Sequence, residues 1–112
     1  MIIHITGSDS RFAFTWTDSA NLPMPISAAT VTFYDGDPLT DDSNNPILDE
    51  NGNQILVTIT LSSELTYSDG EVRLHIQDTD STAQGNYGYV ISATSGVDKQ
   101  VISAGLLRIK EP

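Results

Sequence analysis

The chain has 112 residues and no cysteine, enough for one domain with its own core and too few for two, with no disulfide and no thiol chemistry. Fifteen acidic residues against five Lys and Arg give a net charge of −10. That balance excludes a phosphate-reading nucleic-acid surface and disfavours anionic membranes, and it favours solubility, basic partners or bound cations.

Met1-Ile2-Ile3-His4-Ile5-Thr6 has no basic n-region, and no apolar run approaches a membrane span. The expectation is one domain over 1–112, synthesised in the cytoplasm. Ile2, Ile3 and Ile5 form an apolar opening. It reads either as an edge strand or as an arm, residues 1–6, that pairs with a neighbouring subunit. These three are the candidate interface residues.

Gly7 to Ser10 is a turn. From Arg11 to Thr17 the alternation is clean: Phe12, Phe14 and Trp16 on one face, polar or small residues on the other. A period of two is the signature of a half-buried strand. Asn21, Pro23 and Pro25 mark a loop. Ala29, Val31 and Phe33 then alternate with Thr30, Thr32 and Tyr34 as a second strand.

Asp35 to Pro46 reads as a long exposed loop, with few apolar residues and four Asp. Asp35, Asp37, Asp41 and Asp42 are its candidate Ca²⁺ ligands, because Ca²⁺ takes several hard oxygens and one loop can supply them. Asp78 and Asp80 make a second, shorter acidic pair. Asp49-x-Asn51-x-Asn53 begins like an EF-hand loop and then fails, with Gln54 in place of Gly and Thr60 in place of Glu. It reads instead as a hairpin, with Asn51-Gly52 expected in a type I′ turn.

Ile55, Val57, Ile59 and Leu61 are predicted to share a strand face. Ser62 to Gly70 reads as a polar connector ending in a turn at Asp69-Gly70. Val72, Leu74 and Ile76 mark the next strand, and Asp78 to Gln84 a second polar crossing. A closing hairpin follows. Tyr87, Tyr89, Ile91 and Ala93 line one face of its first strand, and Val101, Leu107 and Ile109 one face of its second. The fold class expected is all-β, a sandwich of about seven antiparallel strands, with no helical periodicity anywhere.

No catalytic set stands out. His4 and His75 lie far apart on strand candidates and read as surface residues. Carboxylates are plentiful without a visible cleft, so a glycosidase pair has no host. The chain is expected not to be an enzyme. Trp16, Tyr87 and Tyr89 are assigned to the core, and Tyr87 to a corner position with its hydroxyl on nearby backbone. Tyr34 and Tyr67 remain as exposed aromatics that a carbohydrate could stack on.

Several stretches carry a resemblance. They are Phe12-Ala13-Phe14-Thr15-Trp16, Ile26 to Phe33, Asp69-Gly70-Glu71-Val72-Arg73-Leu74, Gly85-Asn86-Tyr87-Gly88-Tyr89 and Ser103 to Ile109. In that order they resemble the immunoglobulin-like β-sandwich domains of tailed-phage virion proteins, such as the N-terminal domain of baseplate upper proteins. The resemblance implies an immunoglobulin-like sandwich and a structural part of a virion (tail, baseplate, neck or capsid surface). The partners it implies are other virion proteins and further copies of the chain, assembled after synthesis in the host cytoplasm. The alternative reading is a carbohydrate- or host-receptor-binding module.

Overall fold

The computed structural model describes residues 1–38 and 41–112, with the backbone alone of Asp37 and Pro38. The described residues form strands and turns without a helix. The strands are β1 (Ile2–Ile5), β2 (Ser10–Thr15), β3 (Ala28–Pro38), β4 (Leu56–Ile59), β5 (Ser63–Ser68), β6 (Glu71–Ile76), β7 (Gly85–Ser95) and β8 (Asp98–Lys110). They make two sheets, a five-stranded one in the order β1-β8-β7-β3-β4 and a three-stranded one in the order β2-β6-β5.

The alternation that marks these strands also fixes which face is covered. Val72, Leu74 and Ile76 of β6 have no more than 1% of their surface exposed. They face Ile91, Ala93, Leu107 and Ile109 across the sandwich core. Phe12, Phe14 and Trp16 turn inward as half-buried side chains, and Ala13 and Thr15 turn outward. Phe14 meets Tyr89 of the opposite sheet with ring centroids 5.9 Å apart. That spacing suits a tilted aromatic pair and joins the two layers at mid-core.

Four readings of the sequence change here. First, β1 pairs with β8 in parallel, so the sandwich is not wholly antiparallel. Second, Ser63–Ser68 is a strand and not a connector. Its alternation is weak because only Leu65 of its six residues is an apolar side chain packed on the core. Third, β3 runs on to Pro38, so the expected loop starts later than Asp35. Fourth, Val101 is exposed. The β7–β8 register steps from Ile91↔Ser103 to Ser92↔Val101, leaving Ile102 as an extra residue. A bulge of one residue reverses the face of everything beyond it.

The crossing from β2 to β3 is clamped by the β5–β6 turn. Gly70 donates its N–H to Met24 and its carbonyl accepts from Trp16, at 2.8 and 2.9 Å. Gly70 has φ of 78°, and a Cβ there would sit 2.6 Å from the Cβ of Pro23. Both conditions call for glycine. Tyr67 donates its hydroxyl to Ser27 O at 2.9 Å on the same seam. Tyr87 donates to Ala83 O at 2.7 Å, in the corner role expected of it.

Candidate functional site

Of the candidate cation ligands, Asp35, Asp41 and Asp42 are described with their side chains. Asp35 is exposed on β3 opposite Tyr87. Asp41 and Asp42 lie further along the chain, and the side chain of Asp37 falls outside the described residues. No group of three or more His, Asp or Glu side chains capable of holding a metal occurs among the described residues.

Asp41 has another task. Its Oδ1 accepts from the N–H groups of Ser43 and Asn45, at 2.9 and 3.0 Å. Asp18 does the same with Ala20 and Leu22, and Asp49 with Asn51 and Asn53. In each case the residue three positions on has φ near +60° to +80°: Asn21, Asn44 and Gly52. The carbonyl of each Asp also accepts from that residue's N–H. Three acidic positions therefore build one kind of five-residue turn. Asn51 is not among the residues with positive φ, so the Asn51-Gly52 hairpin is not type I′, which needs two in succession.

Asp78 and Asp80 part company. Asp78 is exposed, and Asp80 turns into the protein with 5% of its surface accessible. Its Oδ1 accepts from Ser62 N and from Thr82 Oγ1, both at 3.0 Å. Its Oδ2 lies 4.0 Å from Nε2 of His4, and neither atom has a hydrogen-bond partner. His4 has no exposed surface, against the sequence reading of a surface histidine. Its Nδ1 is 2.8 Å from Ser10 Oγ. Burial lowers the His4 pKa from 6.5, opposed by the charges of Asp80 and Asp9. The ring is therefore neutral at pH 7.

Ser10, His4 and Asp80 thus form a Ser-His-Asp series that the sequence did not bring together. The missing signal was burial: the alternation Ile2-Ile3-His4-Ile5 places His4 on the same face as Ile2. A nucleophilic serine needs an imidazole that a substrate can approach. This imidazole has no accessible surface, and none of the three most pronounced concavities among the described residues is lined by it, by Ser10 or by Asp80. The series instead ties β1 to β2 and to the β6–β7 crossing. Beside it, His75 Nε2 is 2.8 Å from Asp9 Oδ1, which also accepts from Asp78 N. The hydrogen bond from His75, then that from Asp78, hold the Asp9 carboxyl below its usual range.

A depression of about 500 Å³ lies on the outer face of the small sheet. Arg11, His75 and Glu64 form one cross-strand row, and Ala13, Arg73 and Thr66 the next. The small Ala13 and Thr66 side chains leave the hollow that the charged groups rim. Arg73 is paired with Glu71. Arg11 has no ion-pair partner among the described residues.

Ile2 is in the core, whereas Ile3 and Ile5 are exposed on the outer face of the large sheet. Tyr34 and Tyr67 belong to different sheets, so they do not form one stacking platform. Neither a known protein-family model nor a curated protein matches the chain.

Proposed function

We propose that this chain is an immunoglobulin-like sandwich that serves as a structural part of a tailed-phage virion and works through protein–protein contacts. The strand order carries the fold part of this reading. Lettered A′ to G along the chain, the large sheet runs A′-G-F-C-C′ and the small one B-E-D. Immunoglobulin variable domains divide in this way, with the C′ strand added to the G-F-C sheet. Tyr87 stands at the start of the F strand as a tyrosine corner. Two residues on, where antibody domains place a cysteine, Tyr89 packs on Phe14 of the B strand. An aromatic bridge between the sheets occupies the disulfide position, which suits a protein with no cysteine.

The virion role rests on the resemblance described above, and exposed apolar side chains support it. Ile3, Ile5 and Leu106 lie at one end of the large sheet and Leu56 and Val57 at the other. Such side chains favour burial against protein. The test is protein mass spectrometry on phage particles purified from the source of the gene. Recovery of the chain in many copies per particle is the expected result. Recovery in the soluble fraction alone overturns the proposal. The second reading, a receptor-binding module, is favoured by the depression around Arg11. Binding to a glycan panel that is lost on Arg11→Ala would select it.

A further inference from the structure

We propose that β4 is a self-pairing edge, where two copies of the chain join their five-stranded sheets antiparallel across a twofold axis. The proposal rests on the assembly reading above and adds the surface and the partner.

The edges of the two sheets are not alike. β2 carries Arg11 and β5 carries Glu64, charges of the kind that discourage strand addition. β1 is tied to β2 of the other sheet through His4 and Ser10. β4 has none of these protections. Its four residues, Leu56-Val57-Thr58-Ile59, include no ionisable side chain, and no Pro or Lys blunts it. Its outer side is hydrogen-bonded to no strand among the described residues.

β4 is also poorly covered by the second sheet. β5 of the small sheet packs on β3, and of β4 only Ile59 packs on the core. Leu56, Val57 and Thr58 are all exposed in succession, so neither face of the strand is covered there. Leu56 is 45% exposed and Val57 41%. Exposed backbone donors and acceptors beside apolar, β-branched side chains form a template for another strand.

Charge selects a second copy as that strand. Two molecules of net charge −10 repel over most of their surfaces. From Asn51 to Ser63 there is no charged residue, so two copies meet here without like charges in contact. A basic partner would gain nothing from a neutral edge. An antiparallel strand edge is also complementary to itself, as a twofold interface requires. Partners across a twofold normal to the sheet must share a face, so the axis passes at Val57 or at Thr58. In the first register Val57 faces Val57 and Leu56 faces Thr58.

The test measures mass by light scattering across micromolar to millimolar concentrations. The wild-type chain is expected to form a dimer. Leu56→Lys and Val57→Lys should each weaken it about a hundredfold or more, because lysines are brought together at the axis. Ile3→Lys, on the far edge, should leave it intact. All three positions are exposed, and unchanged circular dichroism will show that the variants fold. A monomeric wild type, or a dimer indifferent to both β4 lysines, overturns the proposal. The latter leaves assembly through another surface standing. The absence of native cysteine permits a second measurement: mild oxidation should link Val57→Cys or Thr58→Cys into a disulfide dimer, and should not link Ile3→Cys. Cross-linking of Ile3→Cys in place of both β4 variants would put the contact at β1 and sink this one.

Discussion

The two ends of the five-stranded sheet solve the edge problem differently. At the β1 end the strand is pressed into the molecule. Ile2 and His4 are buried, the strand pairs with β8, and Asp80 and Ser10 reach the histidine from other elements. At the β4 end three of the four strand residues are exposed, and the strand is preceded by turns that Asp41 and Asp49 make from their own backbone neighbours. One end is held by contacts distant in sequence, the other largely by local ones. Damage to the first should therefore unfold the domain, and damage to the second should change what it meets.

The largest effect is expected from Leu107→Ala. Leu107 is fully buried opposite Ile2, and such truncations cost about 2–5 kcal/mol. Urea unfolding measures it. A loss below about 1 kcal/mol would show that the β1–β8 end is not the firm one. Asp80→Ala comes next. It strands the Ser62 N–H and the Thr82 hydroxyl, and about 2–3 kcal/mol should be lost. If Asp80→Ala unfolds at the wild-type urea concentration, the buried polar link contributes nothing to holding β1.

The same link predicts a pH dependence. Burial favours neutral His4, so its folded pKa lies below the unfolded value of 6.5. Between the two values the unfolded chain binds more protons than the folded one. Stability should be full above about pH 6.5 and fall as the pH drops through 6.5 toward the folded pKa. His4→Gln should flatten that slope. Asp9 acts in a separate, more acidic window: its pKa is lowered from 3.8, so its contribution is present above that value and fades below it. A slope between pH 7 and pH 5.5 that survives in His4→Gln would mean that another group is titrating.

Much of this contrast was written in the order of residues. The strands that cover the core on one face announce themselves by alternation: Phe12 and Phe14, Val72 to Ile76, Tyr87 to Ala93. What was not legible depends on neighbours far along the chain. His4 reads as polar until β8 and Asp80 close over it. Val101 reads as core until the bulge at Ile102 reverses its face. β5 hides because it turns a single apolar side chain, Leu65, onto the core. In the Asp-rich stretches composition shows the carboxylates and not their direction. In the fold, the Oδ1 atoms of Asp41 and Asp49 are turned back onto their own turns. The Ser-His-Asp series was invisible because its members come from β1, β2 and the β6–β7 crossing.

Those turns allow a smaller prediction at the loose end. Asp49→Ala leaves the Asn51 and Asn53 N–H groups to water, since the turn is exposed. The expected cost is about 1 kcal/mol, as for other capping side chains. Asp49→Asn keeps an acceptor oxygen and should restore most of it. Equal losses in both variants would mean that the charge, and not the hydrogen bonds, holds the turn.

The smallest effect sharpens the comparison most. Val57→Ala removes two methyl groups from an exposed side chain, so the monomer should change by no more than about 0.5 kcal/mol. Pairing at β4 adds a condition, because a contact made only by the folded dimer stabilises by mass action and grows with protein concentration. At low micromolar concentration wild type and Val57→Ala should melt together. As concentration rises, wild type should climb and Val57→Ala should lag behind it. Leu107→Ala should instead show its deficit at every concentration, because its contacts lie within one chain. Parallel concentration dependence in wild type and Val57→Ala would remove β4 from the interface, and the open end of the sheet would then be an edge protected only by being four residues long.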